Sequence, residues 1–327
     1  MNRLLLIINP TAGMTKKRPR VFRIADWFRG RGFDVTVMTT TKRGDAEEFA
    51  ARYAPESDAV VCCGGDGTLN EIITGLMRTG CAKPIGYLPA GTTNDMARSL
   101  RLPANIKKAA KIVVGESPVP QDVGSFNGTK YFTYIASFGA FTQVSYGTPQ
   151  WLKNRFGHFA YVLDGIRSVG EIKPYRLQVF RGDGEEAEEG EYIFGSISNS
   201  FSIGGVLHLN SSQVGLDDGR FEVLLIRNAP NLLEFQKILH DLKHRNFGNR
   251  YIEFFHADRV RFRFEREADW TLDGEYAGKP REIEIRNLHS AVSIIRREKQ
   301  AEAPGAKDGP PDADRNPETY TGPGGRK

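Results

Sequence analysis

Little in this 327-residue chain points to cross-links or a membrane anchor. It has three cysteines, Cys62, Cys63 and Cys81, all in the first third and none at metal-ligand spacing. Two adjacent thiols inside an apolar run exclude a disulfide framework and imply a reducing compartment. No stretch reaches the roughly 18 apolar residues that a spanning helix needs. The opening MNRLLLIINPTAG breaks at Asn9-Pro10, too early for a secretory core, so a cytoplasmic protein is expected. The Gly-rich segment lacks a following Gly-Lys-Ser/Thr, which excludes a Walker loop, and GGDGTL has no third glycine for a dinucleotide fingerprint. There is no internal repeat. His158, His208, His240, His244, His256 and His289 have no evident Ser or Cys to activate and read as packing or surface residues.

What is present is an ordinary globular composition, 39% hydrophobic and 26% charged, with length enough for two domains. The net charge of +5 gathers at KKRPR (16 to 20), KHRNFGNR (243 to 250) and Arg259, Arg261 and Arg263. Such clusters suit phosphates, nucleic acid or an anionic membrane surface, or serve only to solvate exposed elements. No nucleic-acid recognition motif accompanies them, and no nucleic-acid partner is expected.

Apolar runs at 3–8, 33–39, 58–63 and 84–88 alternate with helical-length stretches at 16–31, 44–54 and 67–79, followed by 93–101 and 104–115. The alternation predicts an α/β, doubly wound, parallel-rich N-terminal domain over 1–118. Beyond it, short alternating segments at 176–180, 191–198, 219–226, 259–264, 281–287 and 290–295 predict a β-rich antiparallel domain over 119–298. Helices are expected at 150–172 and 231–245, and the last strand is free to return to the first domain. Residues 299–327 are too polar and Pro/Gly-rich to fold alone.

A doubly wound sheet delivers its strand-end loops to one edge, where ligands bind. Three such loops are NPTAG (9–13), GGDGTLNE (64–71) and PAGTTND (89–95). Glycines 64, 65 and 67 let backbone N–H groups approach an anion, and Thr68 opens a helix whose positive end faces the same point. Asp66 would repel a bare phosphate. A carboxylate among such amides suits phosphoryl transfer, through a metal ion or the acceptor hydroxyl.

These motifs, with VSYGTPQWLKNRFGHFAYVLDGIRSV, GLDDGRFEVLLI and LDGEYAGK further on, resemble the diacylglycerol kinase catalytic domain family, and within it the soluble bacterial lipid kinases. The resemblance extends to about residue 295. It implies that Asn9, Pro10, Thr11, Ala12 and Gly13, with Gly64, Gly65, Asp66, Gly67, Thr68, Leu69 and Asn70, bind ATP, helped by Thr40 and Thr92. It makes Glu275 of LDGEY the general base, assisted by Asp273, with Asp66 catalytic and Asp122 in support. By sequence alone the Asp273-Gly274 pair is equally a hairpin turn. The resemblance also implies a structural Mg²⁺ at the Asp218 carboxylate and the carbonyls of Gly215 and Arg220, where a plain turn is the alternative. A second, catalytic Mg²⁺ would arrive with ATP. Two departures stand out: Phe132-Thr133-Tyr134 replaces the Phe-Ile-Asn of many relatives, and Ala12 replaces a common serine.

The activity so implied is transfer of the ATP γ-phosphate to a membrane lipid hydroxyl, with diacylglycerol giving phosphatidic acid. Sphingosine-like lipids, undecaprenol and an inactive lipid- or nucleotide-binding regulator are the alternatives. NAD kinase is disfavoured by the missing Gly-Ser-Thr-Ala-Tyr segment, and phosphofructokinase by the GTLNE and GTTND contexts. A bilayer substrate demands peripheral contact with an anionic membrane, for which the 151–169 segment offers Trp151, Phe156, Lys153 and Arg155; the same spacing fits a core-packing helix. A β-rich second domain with an open edge also makes a homodimer an expectation.

Overall fold

The computed structural model describes residues 3–13, 18–139, 173–199, 202–203, 207–208 and 215–298. The helix expected at 150–172 and the tail after 298 lie outside them. The four apolar runs form parallel strands β1 (Arg3–Ile8), β2 (Asp34–Thr39), β3 (Ala59–Gly64) and β4 (Ile85–Pro89), ordered β4-β3-β1-β2. Between and after them run α1 (Arg18–Arg29), α2 (Asp45–Tyr53), α3 (Asp66–Thr79), α4 (Asp95–Ser99) and α5 (Ile106–Gly115).

Period-two alternation assigns each strand side chain to one of two helical layers. Leu4, Leu6, Ile8, Val61, Cys63 and Leu88 pack with Phe28 of α1 and Ala109 and Val113 of α5. Leu5, Ile7, Val60, Cys62 and Tyr87 pack with Ala46 and Ala50 of α2 and Leu69, Ile72 and Leu76 of α3. Strands covered on both faces must be apolar throughout, and β3 is buried along its whole length. Cys62 and Cys63 therefore face opposite layers as free thiols, and burial pushes the Cys63 thiol up to about 12. They are packing residues.

The rest of the chain supplies β5 (Pro118–Phe126), β6 (Lys130–Phe132), β7 (Ile135–Gly139), β8 (Tyr175–Arg181) and β9 (Ala187–Ser198). The two-residue ladder of β10 (Ser202–Ile203) and β11 (Leu207–His208) precedes β12 (Phe221–Arg227), α6 (Leu232–Lys243), β13 (Ile252–Ala257) and β14 (Arg259–Phe264). The chain then forms β15 (Trp270–Leu272), β16 (Glu275–Gly278) and β17 (Glu282–Ile295). Pairings among β7, β8, β9, β12, β13, β14 and β15 are antiparallel, around a core that includes Phe138, Phe262, Phe264 and Trp270. The mixed α/β class, parallel-rich first and antiparallel afterwards, is the one the sequence predicts. No helix among the described residues is long and apolar enough to cross a membrane.

The two segments expected at 281–287 and 290–295 are one strand. β17 pairs antiparallel with β5 on both sides of an irregularity between Leu288 and Val292, where Ser290 has φ +53°, and it meets β4 in parallel at Ile294–Ile85. A bulge interrupts the alternation without ending the ladder. Several strands escape the sequence reading, β5, β6, β7 and β13 among them. β5 opens Pro118-Val-Pro120 and so resembles a linker, and β13 carries Phe254, Phe255 and His256 in a run that does not alternate.

Candidate active site

The three polar loops meet backbone to backbone. A Cβ on Gly13, which has φ +55°, would lie 2.7 Å from the Gly91 carbonyl carbon, and one on Gly91 would lie 2.7 Å from the Gly65 Cα. Only glycine permits that approach. Side chains tie the loops further: Asn9 Nδ2 donates to Thr68 Oγ1 at 3.1 Å, while its Oδ1 accepts from the Thr11 amide at 3.0 Å. Asn94 closes its own loop, accepting from the Gly91 amide at 2.9 Å and donating to the Gly91 carbonyl at 2.8 Å.

Asp66 begins α3 and turns its carboxylate across to α4. It accepts from the Asp95 amide at 2.8 Å, the Met96 amide at 3.1 Å and the Tyr87 hydroxyl at 3.2 Å. Burial lifts this carboxyl to about 6, against the pull of those donors. The same burial, with Asp66 alongside, raises the Tyr87 phenol, which stays protonated and donates.

The hairpin of β15 and β16 brings in the other carboxylates. Its two turn residues both have positive φ, Asp273 at +49° and Gly274 at +82°, as a two-residue turn of this hand requires. Asp273 Oδ2 accepts from the Thr133 amide and hydroxyl, both at 2.8 Å, and from Asn70 Nδ2 at 2.9 Å; Oδ1 accepts from the Tyr134 and Ile135 amides, both at 3.0 Å. Burial raises the Asp273 carboxyl while these donors pull it down. The turn is thereby fastened to α3 and β7, and Glu275 follows it at the surface. A Cβ on Gly67 would come within 3.2 Å of Glu275 Oε1, so the Glu275 carboxylate lies against the glycine loop of β3.

Residues 3–126 match the family model for the diacylglycerol kinase catalytic domain. The chain is 32% identical over 306 residues to the diacylglycerol kinase of Bacillus subtilis (strain 168), covering 92% of this chain and 99% of that one. The chain belongs to the diacylglycerol kinase family. It is a lipid kinase. The diacylglycerol kinase of Staphylococcus saprophyticus is 31% identical, with 85% of this chain and 90% of that one covered. The crystal structure of a candidate diacylglycerol kinase from Bacillus anthracis str. Sterne superimposes with a TM-score of 0.77 at 26% identity, covering 90% of this chain and 95% of that one.

Within this lipid kinase the residues singled out from the sequence fall into two groups. Asn9, Thr11, Gly13, Gly64 to Thr68, Asp273 and Glu275 converge as described, and Thr92 is exposed in the third loop. Leu69 is fully buried, and Asn70 donates to Asp273 and to the Tyr131 carbonyl at 3.1 Å. Thr40 is buried, its hydroxyl 3.4 Å from the Ile8 carbonyl. Pro10 and Ala12 are half-buried in the first loop.

The second group lies around Asp122, which is fully buried and accepts from the Gly219 amide at 2.8 Å and the Ser290 amide at 2.7 Å. Asp218 Oδ1 accepts from the Arg220 amide at 3.0 Å, and a Cβ on Gly215 would lie 2.6 Å from Asp218 Oδ2. None of these partners is shared with Asp66 or Glu275. His289 is not a plain surface residue: its Nδ1 is 3.1 Å from Asp122 Oδ1 and its Nε2 3.4 Å from Ser290 Oγ.

Three contributors were not singled out from the sequence, although Glu71 closes the GGDGTLNE motif. Arg43, in the loop after β2, forms an ion pair with Glu275. Glu71 accepts from the Gly44 and Ala46 amides at 2.9 and 3.2 Å, fixing the start of α2 and the loop that carries Arg43. Tyr87 reads as a strand residue, and only its partner Asp66 distinguishes it.

Proposed function

We propose that this lipid kinase transfers the γ-phosphate of ATP to the hydroxyl of diacylglycerol, giving phosphatidic acid, with residues 1–118 serving the nucleotide and 119–298 the acceptor. One observation carries the reading. The Glu275 carboxylate stands against Gly67, where a carboxylate can take a proton from a hydroxyl attacking a phosphate held by the glycine loop. The tight Gly13–Gly91–Gly65 contact fits a nucleotide, because it leaves backbone amides uncovered by β-carbons.

On this reading Asn9 to Gly13, Gly64 to Thr68 and Thr92 hold the nucleotide, and Glu275 removes the acceptor proton as the new P–O bond forms and ADP departs. Asp273 holds the turn on which Glu275 sits. Asp66 joins α3 to α4, keeping two loops in register. Mg²⁺ bound with the phosphates would neutralise their developing charge. Among the described residues no three acidic, histidine or cysteine side chains form a cluster, so such an ion would rest chiefly on nucleotide oxygens. A separate structural Mg²⁺ fits Asp218 and the Gly215 and Arg220 carbonyls. Close to Gly215 the buried Asn199 Oδ1 lacks a hydrogen-bond donor, while its Nδ2 donates to the Asp122 carbonyl at 3.1 Å and to the Leu216 carbonyl at 3.5 Å.

Reaching the acceptor implies peripheral docking on an anionic bilayer. The test is transfer of labelled γ-phosphate from ATP to diacylglycerol, monoacylglycerol, sphingosine, ceramide and undecaprenol in mixed micelles, comparing wild type with Glu275→Ala. Labelled phosphatidic acid that falls at least 100-fold in the variant is expected. Labelling of a different lipid, or activity that survives in Glu275→Ala, would overturn the substrate or the base respectively.

A further inference from the structure

The loop after β2 is held on both sides of Arg43. Asp45 is buried, and its Oδ2 accepts from the Thr41 amide at 2.7 Å, the Thr41 hydroxyl at 2.8 Å and the Lys42 amide at 2.9 Å. On the other side Glu71 of the motif helix holds the Gly44 and Ala46 amides. The backbone at Arg43 is therefore set from α2 and α3, while its side chain is 75% exposed and can turn without opening a core. Its guanidinium pairs with Glu275 Oε2, and a Cβ on Gly67 would lie 3.2 Å from Oε1 of the same carboxylate. One carboxylate thus separates the guanidinium from the glycine loop.

Charge decides what becomes of this pair during transfer. At rest the two formal charges offset each other. As the acceptor oxygen bonds to the γ-phosphorus and the bond to the departing ADP oxygen breaks, ADP keeps the electron pair and the acceptor proton passes to Glu275, which becomes neutral. The guanidinium stays protonated throughout. It loses its anionic partner just as negative charge is spread over the phosphoryl oxygens beside it. A planar fork of donors matches those oxygens better than it matches a neutral carboxyl.

Resting on the proposed function, we infer that Arg43 is a catalytic residue that passes from Glu275 to the phosphoryl group in transit and donates to its oxygens until the phosphorylated lipid leaves. The proton on Glu275 then goes to solvent and the ion pair forms again. A residue that only positioned the base would act through Glu275 alone, so the two roles separate when Glu275 is removed.

The experiment is a double-mutant cycle of Arg43→Gln and Glu275→Gln, read by transfer of labelled γ-phosphate to diacylglycerol in mixed micelles. Arg43→Gln should lower kcat about 10- to 100-fold, the worth of a hydrogen bond to a charged group, with the KM for lipid within about two-fold. It should also lower the residual rate of Glu275→Gln by about five-fold or more, because the phosphoryl oxygens still need the guanidinium. No further loss in the double variant means that Arg43 acts only through the base, and overturns the inference. Calorimetry supplies a readout without turnover, using ADP and Mg²⁺ with and without aluminium fluoride as a mimic of the phosphoryl group in flight. Arg43→Gln should bind ADP as wild type does yet lose about ten-fold in affinity for the fluoride complex. Equal losses for both ligands, or none for either, overturn the inference as well. Wild type that labels no lipid, or Glu275→Gln that turns over at the wild-type rate, overturns the proposed function instead.

Discussion

Asp273→Ala tests whether the carboxylate beside the proposed base works as a brace. Five donors converge on it: the amides of Thr133, Tyr134 and Ile135, the Thr133 hydroxyl and Asn70 Nδ2. Alanine leaves all five without their acceptor. Thr133 is 1% exposed, so its groups cannot turn to water, whereas the Asn70 amide can rotate. Each stranded buried donor costs about 1–3 kcal/mol, and alanine at a φ of +49° adds roughly 1 kcal/mol. With partial relaxation the sum is about 4 kcal/mol, close to the cost of removing one partner of a buried charged network. At about 2 °C per kcal/mol for a chain of this size, melting should fall by roughly 8 °C. Asp273→Asn should fall about half as far, because its Oδ1 keeps two amides while its NH₂ opposes the Thr133 and Asn70 donors. Differential scanning calorimetry reads both, and phosphoryl transfer should decline in the same order. An alanine variant that melts within a degree of wild type but has lost activity would refute the brace and make Asp273 a reacting carboxyl.

Two further predictions concern the nucleotide side. Burial holds the Asp66 carboxyl near pH 6, above its unfolded value of 3.8, so between those values the folded state keeps a proton that the unfolded chain has released. Stability should therefore fall as pH rises from about 4 to 6 and level off above it, by on the order of 3 kcal/mol in all; urea titrations at pH 4.5 and 7 should differ by about 2 kcal/mol from this group in wild type, and that share should vanish in Asp66→Asn. Gly91→Ala puts a methyl 2.7 Å from the Gly65 Cα of the neighbouring loop and from Asn94 Oδ1 of its own. It should raise the KM for ATP about ten-fold or more while leaving the KM for lipid within two-fold, and an unchanged ATP KM would count against a nucleotide cradle at these glycines.

The parallel half was legible because its strands are short, apolar and separated by helices of matching length, and because the strand-end glycines have a physical use there. The convergence of NPTAG, GGDG and AGTT follows from topology alone once the strand order is known. The hairpin at 273–275 was ambiguous, since Asp-Gly suits an ordinary turn as well as a carboxylate site, and the structure shows that both descriptions apply to the same residues. Arg43 was invisible because its partner lies 232 residues away and a surface arginine after a strand has no local signature. Asn70 has a contact that its motif does not announce: from the first turns of α3 its side chain donates to Asp273 of the hairpin.

That orientation bears on how the two halves depend on each other. The family model ends at residue 126, so the matched region contains every strand-end loop but neither Asp273 nor Glu275. Asn70 is the donor through which the motif helix reaches the hairpin, and Arg43, set by Glu71 of the same helix, is the second link. The exposed Arg43–Glu275 pair is worth little to stability, because solvent screens both partners. Its consequence is positional: it draws the Glu275 carboxylate toward the loop after β2, while Asp273 fixes the backbone from the other side. A carboxylate held by an exposed ion pair at its tip and a buried network at its root keeps its place on the glycine loop yet can exchange its tip partner. On the proposed mechanism an incoming hydroxyl uses that freedom, taking the place of Arg43 at Glu275 without disturbing the turn.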